Sequence, residues 1–279
     1  MNKTITFIRN ELRDLYSAGE LNSIARRIIE QVCDMPLHRQ LLCKDRQLSA
    51  TEQAQIDAIV ARLSRAEPLQ YVLGYADFCG MILAVNRSTL IPRPETEELV
   101  RLVISELTVE KPKILDIATG SGCIAVALAV QLNDAEIYAT DISDEALATA
   151  RTNVERYAAK VHFFRSDILN DALTKLPALD AIVSNPPYIA ESEKDAMHRN
   201  VLDYEPHQAL FVPDDDPLLF YRRIATLAGE RLKRGGRLFL EINPRFADET
   251  VCLLRDKGFG EVNLVRDMSN KERMIKARI

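Results

Sequence analysis

The residues best suited to chemistry are Asn185-Pro186-Pro187-Tyr188, placed directly after the apolar run Ala181-Ile182-Val183-Ser184. Proline fixes φ, lacks a backbone N–H and biases the residue before it toward extended geometry, so both Asn185 and Pro186 are held out of a helix. A side-chain amide is thereby presented on a stiff turn where a buried strand stops. In a parallel sheet that end of a strand faces the crevice in which ligands bind, and the Asn185 carbonyl oxygen accepts a hydrogen bond from what enters. Taken alone, an Asn-Pro-Pro segment reads more readily, by roughly two to one, as a rigid strand-to-loop corner with Tyr188 packed in the core.

A second group of residues changes that balance. Gly120 and Gly122 open Gly-x-Gly-x-x-Ala, with Ala125 permitting close packing of helix on strand, a nominal match to a dinucleotide-binding loop. Asp116 ends the preceding apolar run and Thr119 lies within the loop. Asp141 ends the next such run, where it is placed to accept both hydroxyls of a ribose, and Asp167 follows the third, where it is placed to accept from an exocyclic amine. Each aspartate singly reads as a strand-end or helix-capping residue. Three at successive strand ends point to a nucleoside pocket.

The elements that hold these residues are legible in the apolar pattern. Strands are expected at Lys113 to Asp116, Glu136 to Asp141, Val161 to Arg165, Leu179 to Ser184 and Arg237 to Glu241, with closing strands at Glu261 to Arg266 and Arg273 to Ile279. Helices are expected at Cys123 to Gln131, at Asp144 to Tyr157, and over Phe220, Ile224, Leu227 and Leu232, the last ended by Gly235-Gly236. Such alternation predicts an α/β fold with a doubly wound, mostly parallel sheet. Before it, stripes through Ile5, Ile8, Leu12 and Leu15, through Leu21, Ala25, Ile28, Ile29 and Val32, and through Ile56, Ile59, Val60 and Leu63 predict a small all-helical domain. Ser49 and Glu52 form a capping box for the last of these helices. Gln70 to Gly74 and Met81 to Val85 are read as β-type runs that pair in a linking hairpin. The expected domains are 1–75, a helical bundle; 76–90, the hairpin linker; and 91–279, the sheet domain.

Composition narrows the function classes. Of 279 residues, 47% are hydrophobic and 28% charged, as in ordinary globular proteins. No apolar run reaches membrane-spanning length and Met1-Asn2-Lys3-Thr4 carries no signal-peptide pattern, so a cytoplasmic protein is expected. Five cysteines form no Cys-x-x-Cys pair and four histidines form no ligand-spaced cluster, which predicts free thiols and no metal. A net charge of −5 argues against a broad basic face for duplex nucleic acid and toward a protein or small-molecule partner.

Together the motifs resemble the peptide chain release factor N5-glutamine methyltransferases, within the class I S-adenosylmethionine-dependent methyltransferases. The resemblance spans nearly the whole chain: Pro68-Leu69-Gln70-Tyr71 with Gly74 and Phe78, Ile91-Pro92-Arg93-Pro94-Glu95-Thr96-Glu97, Asn185-Pro186-Pro187-Tyr188, Glu205-Pro206 with Ala209-Leu210, and Asp267 with Arg273. It implies a seven-stranded Rossmann-like methyltransferase sheet. It also implies S-adenosyl-L-methionine as cofactor, leaving as S-adenosyl-L-homocysteine, held by Asp116, Thr119, Gly120, Gly122, Asp141, Asp167 and Asn185. The implied partner is a class-1 release factor, methylated on the glutamine of its Gly-Gly-Gln loop, with substrate contacts from Asn185, Pro186, Pro187 and Tyr188 and recognition by the N-terminal bundle. Neither a membrane nor direct nucleic acid is expected to take part.

The chemistry agrees with the residue types. A carboxamide nitrogen is a weak nucleophile while a sulfonium methyl is already electrophilic, so positioning is the main task. Asn185 Oδ1 and the Pro186 carbonyl are expected to accept the two amide hydrogens, with Tyr188 as an aromatic wall. Three departures from the family pattern stand out. Ala118 takes the place of the first loop glycine, Ile242-Asn243-Pro244-Arg245 follows Glu241 where the family more often has glycine and then glutamine, and Pro213-Asp214-Asp215-Asp216-Pro217 replaces an Asp-Gly. Other readings remain open: a ribosomal-protein glutamine methyltransferase, a DNA adenine-N6 or RNA guanine-N2 methyltransferase that stacks its base on the tyrosine, and a nucleotide-binding adaptor or NAD-binding protein that shares only the glycine loop.

Overall fold

The computed structural model describes residues 1–43 and 45–279. The chain divides into two compact units, Met1–Gly74 with His198–Tyr204, and Tyr75–Met197 with Glu205–Ile279.

The first unit is built from helices α1 (Asn2–Leu12), α2 (Ala18–Cys33), α3 (Leu37–Leu42), α4 (Ala50–Leu63) and α5 (Leu69–Leu73). Its core is Ile8, Leu12, Ala25, Ile28, Ile56 and Leu63, each with no exposed surface, so the apolar stripes face one another. Each such large side chain contributes about 1.5–3 kcal/mol by leaving water. Two capping boxes set the starts of helices: Ser17 with Glu20 at α2, and Ser49 with Glu52 at α4. The stretch expected to form a strand at Gln70 to Gly74 is instead the short helix α5. Pro68 sits at its N-cap, Gly74 ends it in the left-handed region at φ +82°, and Arg62 donates to the carbonyls of Tyr71 and Val72. Termini of that kind override the β preference of Tyr71 and Val72. The segment His198–Tyr204 belongs to this unit, and Tyr204 Oη donates to Arg65 O at 2.8 Å.

The second unit opens with a hairpin, β1 (Tyr75–Phe78) against β2 (Met81–Ala84). Its two-residue turn, Cys79-Gly80, has positive φ at both positions, the geometry that suits strand twist. Next come α6 (Pro94–Glu106), β3 (Lys113–Ile117), α7 (Cys123–Gln131), β4 (Glu136–Asp141), α8 (Asp144–Arg156), β5 (Val161–Arg165), β6 (Leu179–Ser184) and the two-residue β7 (Ile189–Ala190). The chain continues through α9 (Arg199–Leu202), which lies in the first unit, β8 (Phe211–Val212), α10 (Leu219–Arg231), β9 (Leu232–Glu241), α11 (Ala247–Asp256), β10 (Asn263–Arg266) and β11 (Glu272–Arg278). The seven-stranded sheet has the order β10-β11-β9-β6-β3-β4-β5, parallel except that β11 is antiparallel to both neighbours.

Alternate side chains of the central strands enter two cores. Leu115, Ile117, Ile182 and Leu240 pack with Tyr221 and Ile224 of α10, while Ile114, Val183 and Phe239 pack with Leu99 of α6 and Ile124 of α7. Helices therefore cover both faces, which is why β6 is buried at every position. Chain order reverses between β3 and β6, so the carboxyl ends of β3, β4, β6 and β9 surround a topological switch point.

The expected helix stop at Gly235-Gly236 is corrected. The helix ends at Arg231, and both glycines lie inside β9, where the register against β6 jumps from Leu179 facing Leu232 to Ala181 facing Arg237. Gly235 is left-handed at φ +80°, and a Cβ on Gly236 would sit 2.8 Å from Lys233 O. The glycines mark a bulge.

Candidate active site

A cavity of about 480 Å³ opens at the switch point, within the size range of small-molecule sites. Its walls join the loop after β3, the end of β4, the segment after β5 and the turn after β6. Of the residues singled out in the sequence, Thr119, Gly120, Asp141, Asp167, Asn185 and Pro187 line it, whereas Asp116, Gly122, Pro186 and Tyr188 do not.

At the glycine loop, Asp141 is held by two backbone donors: Gly120 N to Oδ2 at 2.8 Å and Ser143 N to Oδ1 at 3.0 Å. Burial pushes its carboxyl above the ordinary value, and those N–H groups pull in the opposite direction. Each oxygen keeps acceptor capacity for another donor. A Cβ at Gly120 would meet no protein atom within 4 Å, so the space beside it belongs to the cavity. Gly122 serves another purpose: a Cβ there would lie 2.9 Å from that of Ala150, so it lets α7 approach α8. Asp116 is fully buried behind the loop, takes the Thr119 hydroxyl at 2.5 Å, and is pushed up to about 7 by desolvation. Asp167 is committed locally, Oδ1 to Leu169 N and Oδ2 to Asn170 Nδ2. Ala118 adopts φ +58°, a conformation glycine takes freely, at a cost of roughly 1–2 kcal/mol for a side-chain-bearing residue.

The turn after β6 is held by partners distant in sequence. Asn185 Nδ2 donates to Thr96 Oγ1 at 3.1 Å, which leaves the Asn185 oxygen as the acceptor for what enters. Thr96, on α6, donates to Glu241 Oε2 at 2.6 Å, and Tyr188 Oη donates to Glu241 Oε1 at 3.0 Å. Glu241 ends β9 and is buried; desolvation raises its carboxyl, opposed by the Thr96 and Tyr188 hydroxyls and by Arg273. Burial drives the Tyr188 hydroxyl upward as well, so it stays protonated as a donor. Thus the Tyr188 hydroxyl is spent on Glu241 and its ring packs beside the core of α10, rather than forming the wall of the cavity. Asn243, in the segment to which the sequence assigned no role, donates through Nδ2 to Tyr188 O at 3.1 Å and to Glu193.

Two further motif segments meet in the same unit: Arg93 Nη2 reaches Glu205 Oε1 at 2.5 Å, and Ile91 N reaches Oε2 at 3.1 Å. Thr96 and Glu241 were missed by sequence reasoning. The available signal was a carboxylate closing the otherwise apolar run Leu238-Phe239-Leu240, which needs a hydrogen-bonded partner when buried.

The residues fit a nucleoside-bearing cofactor. Thr140, whose Oγ1 is buried and without a hydrogen-bond partner among the described residues, lines the cavity, and Ile142 and Leu169 supply apolar wall. Among the described residues no helix is long and apolar enough to cross a membrane.

Comparison with known proteins agrees in both units. Residues 4–74 match the PrmC N-terminal domain model, and residues 95–206 match the methyltransferase small domain model. The chain is 43% identical over 277 residues to the release factor glutamine methyltransferase of Bacteroides thetaiotaomicron, covering 99% of each chain. It is 42% identical over 270 residues to that of Flavobacterium psychrophilum, covering 95% of this chain and 94% of the relative. A methyltransferase from Pyrococcus furiosus, 17% identical, shares the fold at a TM-score of 0.53, covering 82% of this chain and 98% of its own. With this identity across its whole length, the chain belongs to the release factor glutamine methyltransferase family.

Proposed function

We propose that this enzyme transfers a methyl group from S-adenosyl-L-methionine to the side-chain amide nitrogen, N5, of the glutamine in the Gly-Gly-Gln loop of class-1 release factors, in the cytoplasm. The observation that carries the reading is the Asn185 amide, whose nitrogen is spent on Thr96 so that its oxygen serves a donor in the cavity. A primary carboxamide brings two such hydrogens.

When bound, S-adenosyl-L-methionine supplies a methyl group already activated by its sulfonium. Asp141 would take the ribose hydroxyls, with Gly120 and Thr119 beside them, and Asp167 the amine edge of the base, while Asp116 braces the loop from behind through Thr119. Asn185 Oδ1 accepts a hydrogen of the acceptor amide, fixing the nitrogen and stabilising the positive charge that grows on it, whereas Pro186, expected to take the second hydrogen, does not line the cavity. Pro187 stiffens the turn, and Tyr188 anchors it to Glu241. One proton then leaves the methylated nitrogen for solvent.

Recognition of the protein substrate falls to the helical unit, where α3 exposes Leu37, Leu41 and Leu42. A single glutamine offers too little surface to distinguish one protein from others, so contacts away from the reacting amide are needed. The test is incubation with isotopically labelled S-adenosyl-L-methionine and intact release factor, ribosomal proteins or nucleic acid, followed by mass spectrometry. Label on the Gly-Gly-Gln glutamine is expected. Label only on a ribosomal protein or on a base amine would overturn the reading.

A further inference from the structure

We propose that Glu241 is a positioning residue for methyl transfer: through Thr96 it dictates which way round the Asn185 amide sits, and through Tyr188 it clamps the far end of the same turn. The inference rests on the reading that Asn185 receives the acceptor amide.

The argument is a count of hydrogens. A carboxylate only accepts, and it accepts here from two sides, Thr96 Oγ1 at 2.6 Å and Tyr188 Oη at 3.0 Å. Threonine has one hydroxyl hydrogen. With that hydrogen spent on Glu241, Thr96 offers Asn185 only a lone pair, so the group 3.1 Å away has to be the Asn185 nitrogen. The oxygen is left for the incoming amide. If Glu241 were not an acceptor, the Thr96 hydroxyl would be free to donate to Asn185 Oδ1 and the side chain would turn over. Its two N–H groups would then meet the two N–H groups of the substrate glutamine.

The surroundings suit a fixed acceptor. Glu241 is 1% exposed and Thr96 3%, so water does not compete for these hydrogen bonds. Desolvation by burial raises the Glu241 carboxyl and Glu95 adds to it, while the Thr96 and Tyr188 hydroxyls and the Arg273 cation favour the charged form. Tyr221 Oη, at 3.3 Å, donates to the Glu241 backbone carbonyl and leaves the side chain to Thr96 and Tyr188. Glu241 does not line the cavity; it acts through Thr96, which does.

Glu241→Leu removes both acceptor oxygens, so the Thr96 hydroxyl hydrogen is released to donate to Asn185 Oδ1. Turnover is expected to fall by about ten- to a hundredfold, as for a misdirected polar contact at a reacting centre. The S-adenosyl-L-methionine dissociation constant and the KM for release factor are expected to move less than about threefold each. Thr96→Val, isosteric but without the hydroxyl, should lose turnover to a similar extent, and Thr96→Ser should restore most of it. A merely structural role would lower thermal stability and cofactor affinity together and would not separate serine from valine. The orientation itself is read by NMR on asparagine-selectively labelled protein, as contacts from the Asn185 Nδ2 hydrogens to Thr96. Those contacts should be present in the wild type and lost in Glu241→Leu. Failure of the wild type to methylate release factor would count against the function reading alone, because the NMR comparison decides the amide orientation independently. Unchanged contacts in Glu241→Leu, unchanged turnover, or equal loss in Thr96→Ser and Thr96→Val would overturn the proposal.

Discussion

At the glycine loop, Asp116 takes the hydroxyl of Thr119 three positions along the chain, and Asp141 takes the N–H of Ser143 two positions along. At the turn after β6, by contrast, Asn185 leans on Thr96 across a separation of 89 positions, Thr96 on Glu241 across 145, and Tyr188 on Glu241 across 53. The first wall is assembled over short separations, the longest of its Asp141 bonds being Gly120 N to Oδ2 across 21 positions, and needs β3 with its loop and the adjoining β4. The second exists only once α6, β6 and β9 have come together. Local assembly suits a cofactor whose shape does not vary, whereas long-range assembly fixes a single amide in one orientation, the stricter demand of the transfer step.

The comparison breaks first at Asp141. Asp141→Ala should weaken S-adenosyl-L-methionine binding by about a hundredfold or more, since hydrogen bonds to a charged acceptor are worth about 1.5–3 kcal/mol each. Isothermal titration calorimetry reads this directly, and an unchanged affinity would mean that the two walls do not divide the labour as described. Asp116 sharpens the same wall through pH. Its folded value of about 7 stands above its ordinary 3.8, so between those values the folded state binds more protons than the unfolded one. Stability from this group is therefore full below about pH 4 and lost as pH rises through about 7. The loss is at most about 4 kcal/mol, at 1.36 kcal/mol per pH unit. Urea denaturation of ligand-free wild type and Asp116→Asn should show a gap between them that widens over that interval, and parallel curves would refute the burial argument.

Smaller effects test the edges. Ala118→Gly should gain about 1 kcal/mol, because relief of the left-handed backbone exceeds the added freedom of the unfolded chain. A lower melting temperature would show that the methyl group packs more than it strains. On the helical unit, Leu42 is 81% exposed, and Leu42→Asp should raise the KM for intact release factor by a few-fold, with turnover at saturation preserved. An unchanged KM would move recognition to another surface.

What was legible in the sequence follows the same division. The five central strands, α7 and α8 were marked by apolar runs whose period is set locally, and both ends of those runs are fixed by nearby carboxylates, prolines or glycines. Ser49 and Glu52 were legible for the same reason, the capping box being complete within four residues. Gln70 to Gly74 and Gly235-Gly236 were misread because their outcome depends on atoms elsewhere: Arg62 on the carbonyls of Tyr71 and Val72, and Ile279 accepting the Gly235 N–H inside the β9 bulge. The Asn185-Pro186-Pro187-Tyr188 turn could be found from its own residues, but its orientation could not. Nothing within it announces Thr96 or Glu241, and nothing near Asn243 announces its bond to Tyr188 O.

The most direct test of the account is Asn185→Ala, measured for cofactor affinity by calorimetry and for turnover on intact release factor by mass spectrometry. The long-range wall is proposed to act on the acceptor amide and the local wall on the cofactor. Turnover should therefore fall by at least about a hundredfold while S-adenosyl-L-methionine affinity stays within about threefold of wild type. Near-normal turnover, or a loss of cofactor affinity equal to the loss of turnover, would contradict it.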